Sequence, residues 1–227
     1  MSSVDLKSDV RTRPQPGNSL VRLMGHDLRN KLGVMQNSVY YLRMKMGQPS
    51  DKVLKHIDIL LREISISNRV VLDLMDLVAP KEPQLALLDL NAMLRAALER
   101  ASLPQGVELM LRLADELPLA LGDAEQIAHA LDNILSYESN ILSEGDKLWV
   151  VSWCNRHVCL EFIASGSGLS EEELANLMAP TGAPGQHGAS YVELYVARQL
   201  VELNGGALEV KSQQGTGTRF SVTLQAS

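Results

Sequence analysis

The sequence lacks the features that would direct a protein to a membrane or to an oxidising compartment. No stretch approaches the roughly 20 uninterrupted apolar residues that span a bilayer, and the polar beginning has no apolar core of a signal peptide. Two cysteines, Cys154 and Cys159, are too few for a disulfide framework. We therefore expect a cytoplasmic protein with no membrane association, whose cysteines remain thiols.

Clusters of basic residues are also missing. The formal net charge is −6, which disfavours a surface for nucleic acid or for anionic lipid. The composition is 45% hydrophobic, enough for a packed core in a chain of 227 residues. We expect an ordinary folded protein whose partners are other proteins.

The first third of the chain has the apolar rhythm of paired helices. Residues 1–17 are rich in Ser, Arg and Pro and have no periodicity, which predicts a disordered tail. From Asn18 onward, and again after Ser50, apolar residues recur at spacings of four and three, which predicts a helical hairpin over residues 18–79. The two seams consist of Leu28, Leu32, Met35, Val39, Leu42 and Met46, and of Val53, Ile57, Leu60, Ile64, Ser67, Val71, Leu74 and Val78. Because two narrow seams cannot enclose a core alone, we expect a homodimer with a four-helix bundle.

The segment "APKEP", residues 79–83, predicts a domain boundary, because two prolines and two charges follow directly on a periodic helix. The remaining residues, 80–227, alternate between helical and strand patterns without a strict βαβ rhythm. We expect strands at 85–90, 107–113, 146–154, 157–165, 207–212 and 218–224, and helices at 91–100, 123–141 and 191–204. This order predicts an α/β sandwich, a mixed sheet with helices on one face.

His26 is the residue of the hairpin whose side chain most clearly suggests a chemical role. At about 100° per residue it falls nearly opposite the first seam, so it should face solvent. A lone exposed histidine is an ordinary surface residue, but Asp27 can orient the imidazole or accept its proton and leave a nucleophilic nitrogen. Asn30 lies one turn further on the same face, where its amide can position a water or a phosphoryl oxygen. The group predicts phosphoryl transfer.

These motifs resemble those of sensor histidine kinases. The resemblance rests on "HDLRNKL", "LNAMLRAAL", "LGDAEQIAHALDNIL" and "VARQLVELNGGALEVKSQQGTGTRFSVTL", and it covers nearly the whole chain after Asn18. It implies a dimerisation hairpin followed by an ATP-binding-like domain, with His26 as phospho-acceptor, Asp27 as its acidic neighbour and Asn30 as a residue that supports phosphatase activity. Lys31 stands where the family usually has proline, and "HDxxNKL" looks more like the motif of a dimeric sporulation phosphotransferase. Arg29 and Lys31 are the candidates for contact with the partner.

The resemblance fails in the nucleotide pocket. Asn133 matches the family, but Tyr137 stands at the metal-holding asparagine and Ala164 at the adenine-reading aspartate, while Gly166 and Gly168 survive. The aligned glycines of a second phosphate loop are replaced by Ala189, Tyr191 and Glu193, and the segment 178–188 is short for a lid. A phenol is a poor Mg²⁺ ligand, and a glutamate repels a triphosphate. We therefore expect a degenerate pocket with no cofactor and no resident metal. "CNRHVC" does not suggest a zinc site either, because it reads as two strands and their turn.

The sequence favours a phosphorelay protein that exchanges phosphate between His26 and receiver-domain aspartates without its own ATP-dependent autophosphorylation. Its partners would be a response regulator whose receiver domain holds Mg²⁺, and an upstream phosphodonor. One alternative is an active histidine kinase with a divergent nucleotide site. Another is a non-enzymatic scaffold that binds a response regulator.

Overall fold

The computed structural model describes residues 16–47, 49–78, 80–177 and 191–227. The chain forms two compact units, Met1–Pro80 and Lys81–Ser227. Most of the predicted disordered tail, the short segment 178–188 and Ala189 lie outside the described residues. Within the ranges given, no helix combines the length and the apolar character needed to cross a bilayer.

The first unit consists of two helices that pack on each other, as the apolar rhythm predicts. Helix α1 is Pro16–Lys45 and helix α2 is Asp51–Val78. Helix α1 begins two residues before the predicted Asn18, at a proline, which is a favoured residue in the first turn because its missing N–H is not needed there. Gly47, with φ of 51°, follows α1 and turns the chain towards α2.

Only part of the predicted seams is covered inside one hairpin. Ile57 and Ile64 of α2 are buried, with 6% and 8% of their surface exposed. Much of the remaining seam is exposed, including Leu28, Met35, Leu42, Val53, Leu60 and Leu74. The hairpin in one chain therefore presents an apolar surface on both helices.

The second unit is a mixed α/β structure. Its elements are β1 (Ala86–Leu88), α3 (Leu90–Arg100), β2 (Glu108–Arg112), β3 (Ala120–Gly122), α4 (Ala124–Ile141), β4 (Lys147–Cys154), β5 (His157–Ala164), α5 (Glu171–Leu177), α6 (Tyr191–Leu203), β6 (Ala207–Gln213) and β7 (Gly217–Gln225). A five-stranded sheet has the order β2-β4-β5-β7-β6, in which only the β2–β4 pairing is parallel. A separate antiparallel pair joins β1 to β3. The predicted mixed sheet is confirmed.

Side chains of one sheet face and of helix α4 make the core of this unit. Along β5, Val158, Leu160, Phe162 and Ala164 are buried at every second position, as a strand with one covered face requires. Helix α4 is capped by Asp123, the residue before its start, whose side chain accepts hydrogen bonds from the backbone amides of Glu125 and Gln126. This cap fixes the start of the helix that carries the pocket residues. Strand β3 and helix α5 are too short for the sequence pattern to predict.

Candidate functional site

His26 lies on α1 with an exposed side chain, as its position opposite the seam predicts. The side-chain amide nitrogen of Asn30 is 3.2 Å from Nδ1 of His26. A spacing of four residues puts both side chains on one face of the helix, one turn apart. The structure therefore brings together the histidine and the amide that the sequence singled out.

The other residues of the motif are exposed around His26. Asp27 follows directly, and adjacent residues on a helix point about 100° apart, so its carboxylate and the imidazole do not share a face. Arg29 and Lys31 are exposed too and add positive charge near the histidine. Their predicted roles in proton transfer and partner contact remain predictions.

Helix α1 lies close to α2 at Gly25, the residue before His26. The backbone of Gly25 is buried, although His26 and Asp27 next to it are exposed. A methyl group at Gly25 would overlap the thioether side chain of Met75 on α2. The absence of a side chain therefore permits the close approach of the two helices at the turn that carries His26.

The predicted pocket residue Tyr137 is part of the core. It is 1% exposed, and its ring contacts that of Phe220 edge-on. The side chain at this position, where the resemblance implies a metal-holding asparagine, is therefore an aromatic ring packed in the core.

A polar cluster joins α4 to the first turn of α6 near that position. Asn133 is fully buried and donates a hydrogen bond from Nδ2 to the backbone oxygen of Glu193, at 3.2 Å. The hydroxyl of Ser136 donates to Oε1 of Glu193, at 3.3 Å. The structure thus brings together Asn133 and Glu193, two of the predicted pocket residues, and their role in binding stays a prediction. Tyr191 begins α6, and its side chain lies outside the described part of the chain.

Ala164 and the two glycines after it lie at the end of strand β5. Ala164 is 1% exposed and is paired in register with Leu148 and Thr218, so it presents no polar group there. Gly166 and Gly168 have φ of 120° and 65°, the left-handed region that favours glycine. A side chain at Gly168 would collide with the backbone oxygen of Gln213. This glycine is therefore required by the close approach of the β6–β7 turn, whatever else the loop does.

Glu138 is a functional candidate that the sequence reading did not single out. Its side chain is fully buried, and neither carboxyl oxygen has a hydrogen-bond partner among the residues that the structure describes. Burial without a partner raises the pKa of Glu138 to about 8. The signal in the sequence is an acidic residue four positions after Ile134 on the apolar stripe of α4, and only the fold shows that this stripe is buried there.

The chain is similar in sequence to a family of ATPases and to several sensor proteins. The model of histidine kinase-, DNA gyrase B-, and HSP90-like ATPases matches residues 122–227. The alginate biosynthesis sensor protein KinB of Pseudomonas aeruginosa is 27% identical over 88% of this chain and 35% of KinB. The sensor histidine kinase ZraS of Escherichia coli K12 is 25% identical over 88% of this chain and 44% of ZraS. The chain therefore spans less than half the length of these relatives.

A solved structure supports the same fold. Full-length ShkA, crystallised in complex with AMPPNP, has a TM-score of 0.67 at 19% identity, covering 92% of this chain and 47% of ShkA. Residues 122–227 thus match a histidine kinase-like ATPase family model, and most of the chain is similar in sequence to sensor histidine kinases.

These findings correct the function expected from the sequence. The expectation of a phosphorelay protein without ATP-dependent autophosphorylation is wrong, because the relatives are sensor histidine kinases with an ATPase catalytic domain. The alternative of an active histidine kinase with a divergent nucleotide site fits better. The physical reason is that a nucleotide is held by many contacts, and the loss of one neutral hydrogen bond, such as the adenine contact implied at Ala164, costs only about 1 kcal/mol net.

Proposed function

We propose that this chain is the phospho-accepting and ATPase part of a two-component histidine kinase with a divergent nucleotide site. His26 accepts the γ-phosphoryl group of ATP and passes it to a receiver-domain aspartate of a response regulator. The observation that carries the proposal is the contact between exposed His26 and Asn30, in a chain that aligns over 88% of its length with sensor proteins of this family.

The polar cluster between α4 and α6 fits the metal of a magnesium nucleotide. Mg²⁺ prefers hard oxygen ligands, and the side chains of Asn133, Ser136 and Glu193 each carry one. Asn133 donates from Nδ2 to the backbone oxygen of Glu193, and the Ser136 hydroxyl donates to the Glu193 carboxylate, so the three residues are neighbours. Tyr137 and Ala164 do not contribute, since one is in aromatic packing and the other has no polar side chain. We therefore assign the metal to Asn133, Ser136 and Glu193, and ATP bound with it would supply the phosphoryl group.

The charged residues around His26 support its reaction with ATP and with a receiver domain. Exposure on α1 lets phosphorus approach the imidazole without displacing any packed side chain. Arg29 and Lys31 offer positive charge to the phosphoryl group and to the acidic, Mg²⁺-holding site of a receiver domain. Asp27 follows His26 directly, and its carboxylate is the proposed proton acceptor when rotation of the two side chains brings it to the ring.

Homodimerisation through the hairpin is part of the proposal. The seam residues Met35 and Leu42 of α1 and Leu60 and Leu74 of α2 each have more than half of their surface exposed in one chain. Large exposed apolar patches mark interaction surfaces. A second hairpin about a twofold axis would cover these side chains in a four-helix bundle.

The direct test is incubation of the chain with Mg²⁺ and γ-labelled ATP. We expect label on the protein that is stable to base, lost in acid and passed to a receiver domain. His26→Ala should abolish labelling, whereas His56→Ala, at an exposed histidine of α2, should not. Label that persists in His26→Ala, or no label on the natural chain with a dimer present, would overturn the proposal. Receiver binding without label would favour the scaffold.

A further inference from the structure

The contact between Asn30 and His26 has a chemical direction. An amide nitrogen carries only donors, so in the observed arrangement Nδ2 of Asn30 donates and Nδ1 of His26 accepts, 3.2 Å apart. A neutral imidazole has one donor and one acceptor nitrogen. The ring proton is therefore on Nε2 in this arrangement, and the lone pair of Nδ1 is engaged by the amide.

That tautomer is a poor nucleophile at both nitrogens. Nε2, at the end of the ring away from Cβ, carries a proton in place of a lone pair. Nδ1 has a lone pair, but the amide of Asn30 engages it. A histidine that is to attack phosphorus from its accessible side needs the opposite arrangement, with the proton on Nδ1.

A half-turn of the Asn30 carboxamide produces that opposite arrangement. The two ends of an amide have nearly the same size, so Oδ1 can take the place of Nδ2 without moving either residue. An amide oxygen only accepts, so Nδ1 must then carry the proton and donate it to Oδ1. The lone pair of Nε2 is left free and points into solvent, because His26 is exposed on α1.

We propose that Asn30 is a positioning residue that sets the tautomer of His26 and thereby decides whether Nε2 is a nucleophile. The tautomer of a histidine is set by the hydrogen bond at its other nitrogen, and Asn30 is the residue in contact with that nitrogen. This inference rests on the proposed function, in which His26 receives a phosphoryl group. It assigns to Asn30 a part in phosphate acceptance itself.

The tautomer determines where the electron pairs and the proton go when Nε2 accepts a phosphoryl group. Nε2 gives its electron pair to phosphorus, the bond from phosphorus to its leaving group breaks, and the electron pair of that bond departs with the leaving group. The proton stays on Nδ1, held by Oδ1 of Asn30, and is released to solvent once the ring carries the phosphoryl group.

The test reads the tautomer without any nucleotide. The full chain is labelled with ¹⁵N-histidine, and the ring of His26 is assigned by its loss in His26→Ala. Spectra are recorded over a series of pH values, and the neutral form of the ring is compared between the variants. Asn30→Asp offers only acceptor atoms, so we expect it to move the proton to Nδ1. Asn30→Ala removes the partner and should leave no such preference.

A small-molecule phosphodonor, phosphoramidate, then measures acceptance independently of the ATPase domain. We expect Asn30→Asp to take up phosphate on Nε2 about threefold to tenfold faster than Asn30→Ala, the range that one hydrogen bond supplies. Asn37→Asp and Asn37→Ala are the matched controls, because Asn37 is exposed on the same helix far from His26. They should match the natural chain in both measurements.

An unchanged Nε2–H ring in Asn30→Asp, or equal phosphoramidate rates in the two Asn30 variants, would overturn the inference. These outcomes are independent of the kinase proposal. The variants could follow the expected order of phosphoramidate rates while the natural chain never accepts phosphate from ATP. That result would exclude the proposed kinase activity and leave the role of Asn30 intact.

Discussion

The ring of Tyr137 on α4 contacts the ring of Phe220 on β7 edge-on, with centroids 5.5 Å apart and planes at 76°. Both rings are at most 1% exposed. Edge-on aromatic pairs add stability beyond the area that they bury. Tyr137 therefore stabilises the packing of α4 on the sheet, at a position where the family resemblance implies an asparagine.

The first prediction concerns this pair. Tyr137→Asn should lower the free energy of unfolding by about 3 kcal/mol or more, because it leaves a cavity beside Phe220 and buries a new amide. Tyr137→Phe keeps the ring contact and should cost much less. Denaturant unfolding of both variants measures the difference. Equal losses would mean that the hydroxyl, not the ring, contributes the stability.

The second prediction uses the buried carboxyl of Glu138. In the folded chain the pKa of this group is about 8, whereas in the unfolded chain it ionises near its ordinary pKa of 4.5. The folded state thus holds a proton that the unfolded state releases, so the free energy of unfolding falls as pH rises between these values.

The slope from Glu138 approaches about 1.4 kcal/mol per pH unit inside that window and vanishes above it. Urea unfolding at several pH values measures it. Glu138→Gln should flatten the profile, and Glu138→Met should also raise stability at about pH 8 by removing the unpaired carboxyl. The exposed-residue control Glu99→Gln should leave the slope unchanged; an identical slope in Glu138→Gln would contradict the assignment.

The third prediction separates dimerisation from folding of the hairpin. Leu60 is 52% exposed in one chain, so Leu60→Ser should weaken the dimer while the helices persist. Ile64 is 8% exposed, so Ile64→Ser should reduce helix content as well, through loss of packing inside the hairpin. Sedimentation and circular dichroism measure the two effects. A monomeric natural chain at micromolar concentration would contradict the bundle.

The fourth prediction concerns the close approach of the helices beside His26. Gly25→Ala should destabilise the hairpin by about 1–3 kcal/mol, because the added methyl group overlaps Met75. Adding Met75→Ala to that variant should recover part of the loss. Gly33→Ala on the same helix has nothing within 4 Å of the new methyl group and should stabilise by up to about 1 kcal/mol.

All variants must be unfolded at one protein concentration, because the stability of a dimer depends on concentration. Additive effects of Gly25→Ala and Met75→Ala would exclude the overlap.

The fifth prediction tests the metal assignment. Glu193→Gln should raise the Mg²⁺ concentration needed for half-maximal labelling of His26, since it removes one negative oxygen ligand. Glu202→Gln, on the same helix and paired with Arg198 on the surface, is the control. Titration of Mg²⁺ at fixed ATP distinguishes them. The same Mg²⁺ requirement in both variants would exclude Glu193 as a ligand.

Local patterns in the sequence were sufficient for the helical part of the molecule. Alternating spacings of three and four residues predict α1 and α2, and the angle of 100° per residue turns His26 outward with Asn30 beside it. Strands β4, β5 and β7 follow from runs that alternate or are rich in β-branched and aromatic residues. These features depend on neighbours within about one helical turn or one strand, and the sequence contains them all.

The tertiary structure alone determined which residues of those helices and strands contact one another and which are buried. The parallel pairing of β2 with β4, the contact of Tyr137 with Phe220 and the burial of Glu138 join or enclose residues far apart in the chain. No spacing rule reaches across such distances, because the same apolar stripe on α4 fits several ways of packing. The sequence shows Glu138 only as an acid on the apolar stripe of α4, and the tertiary structure makes it a buried carboxyl with a raised pKa.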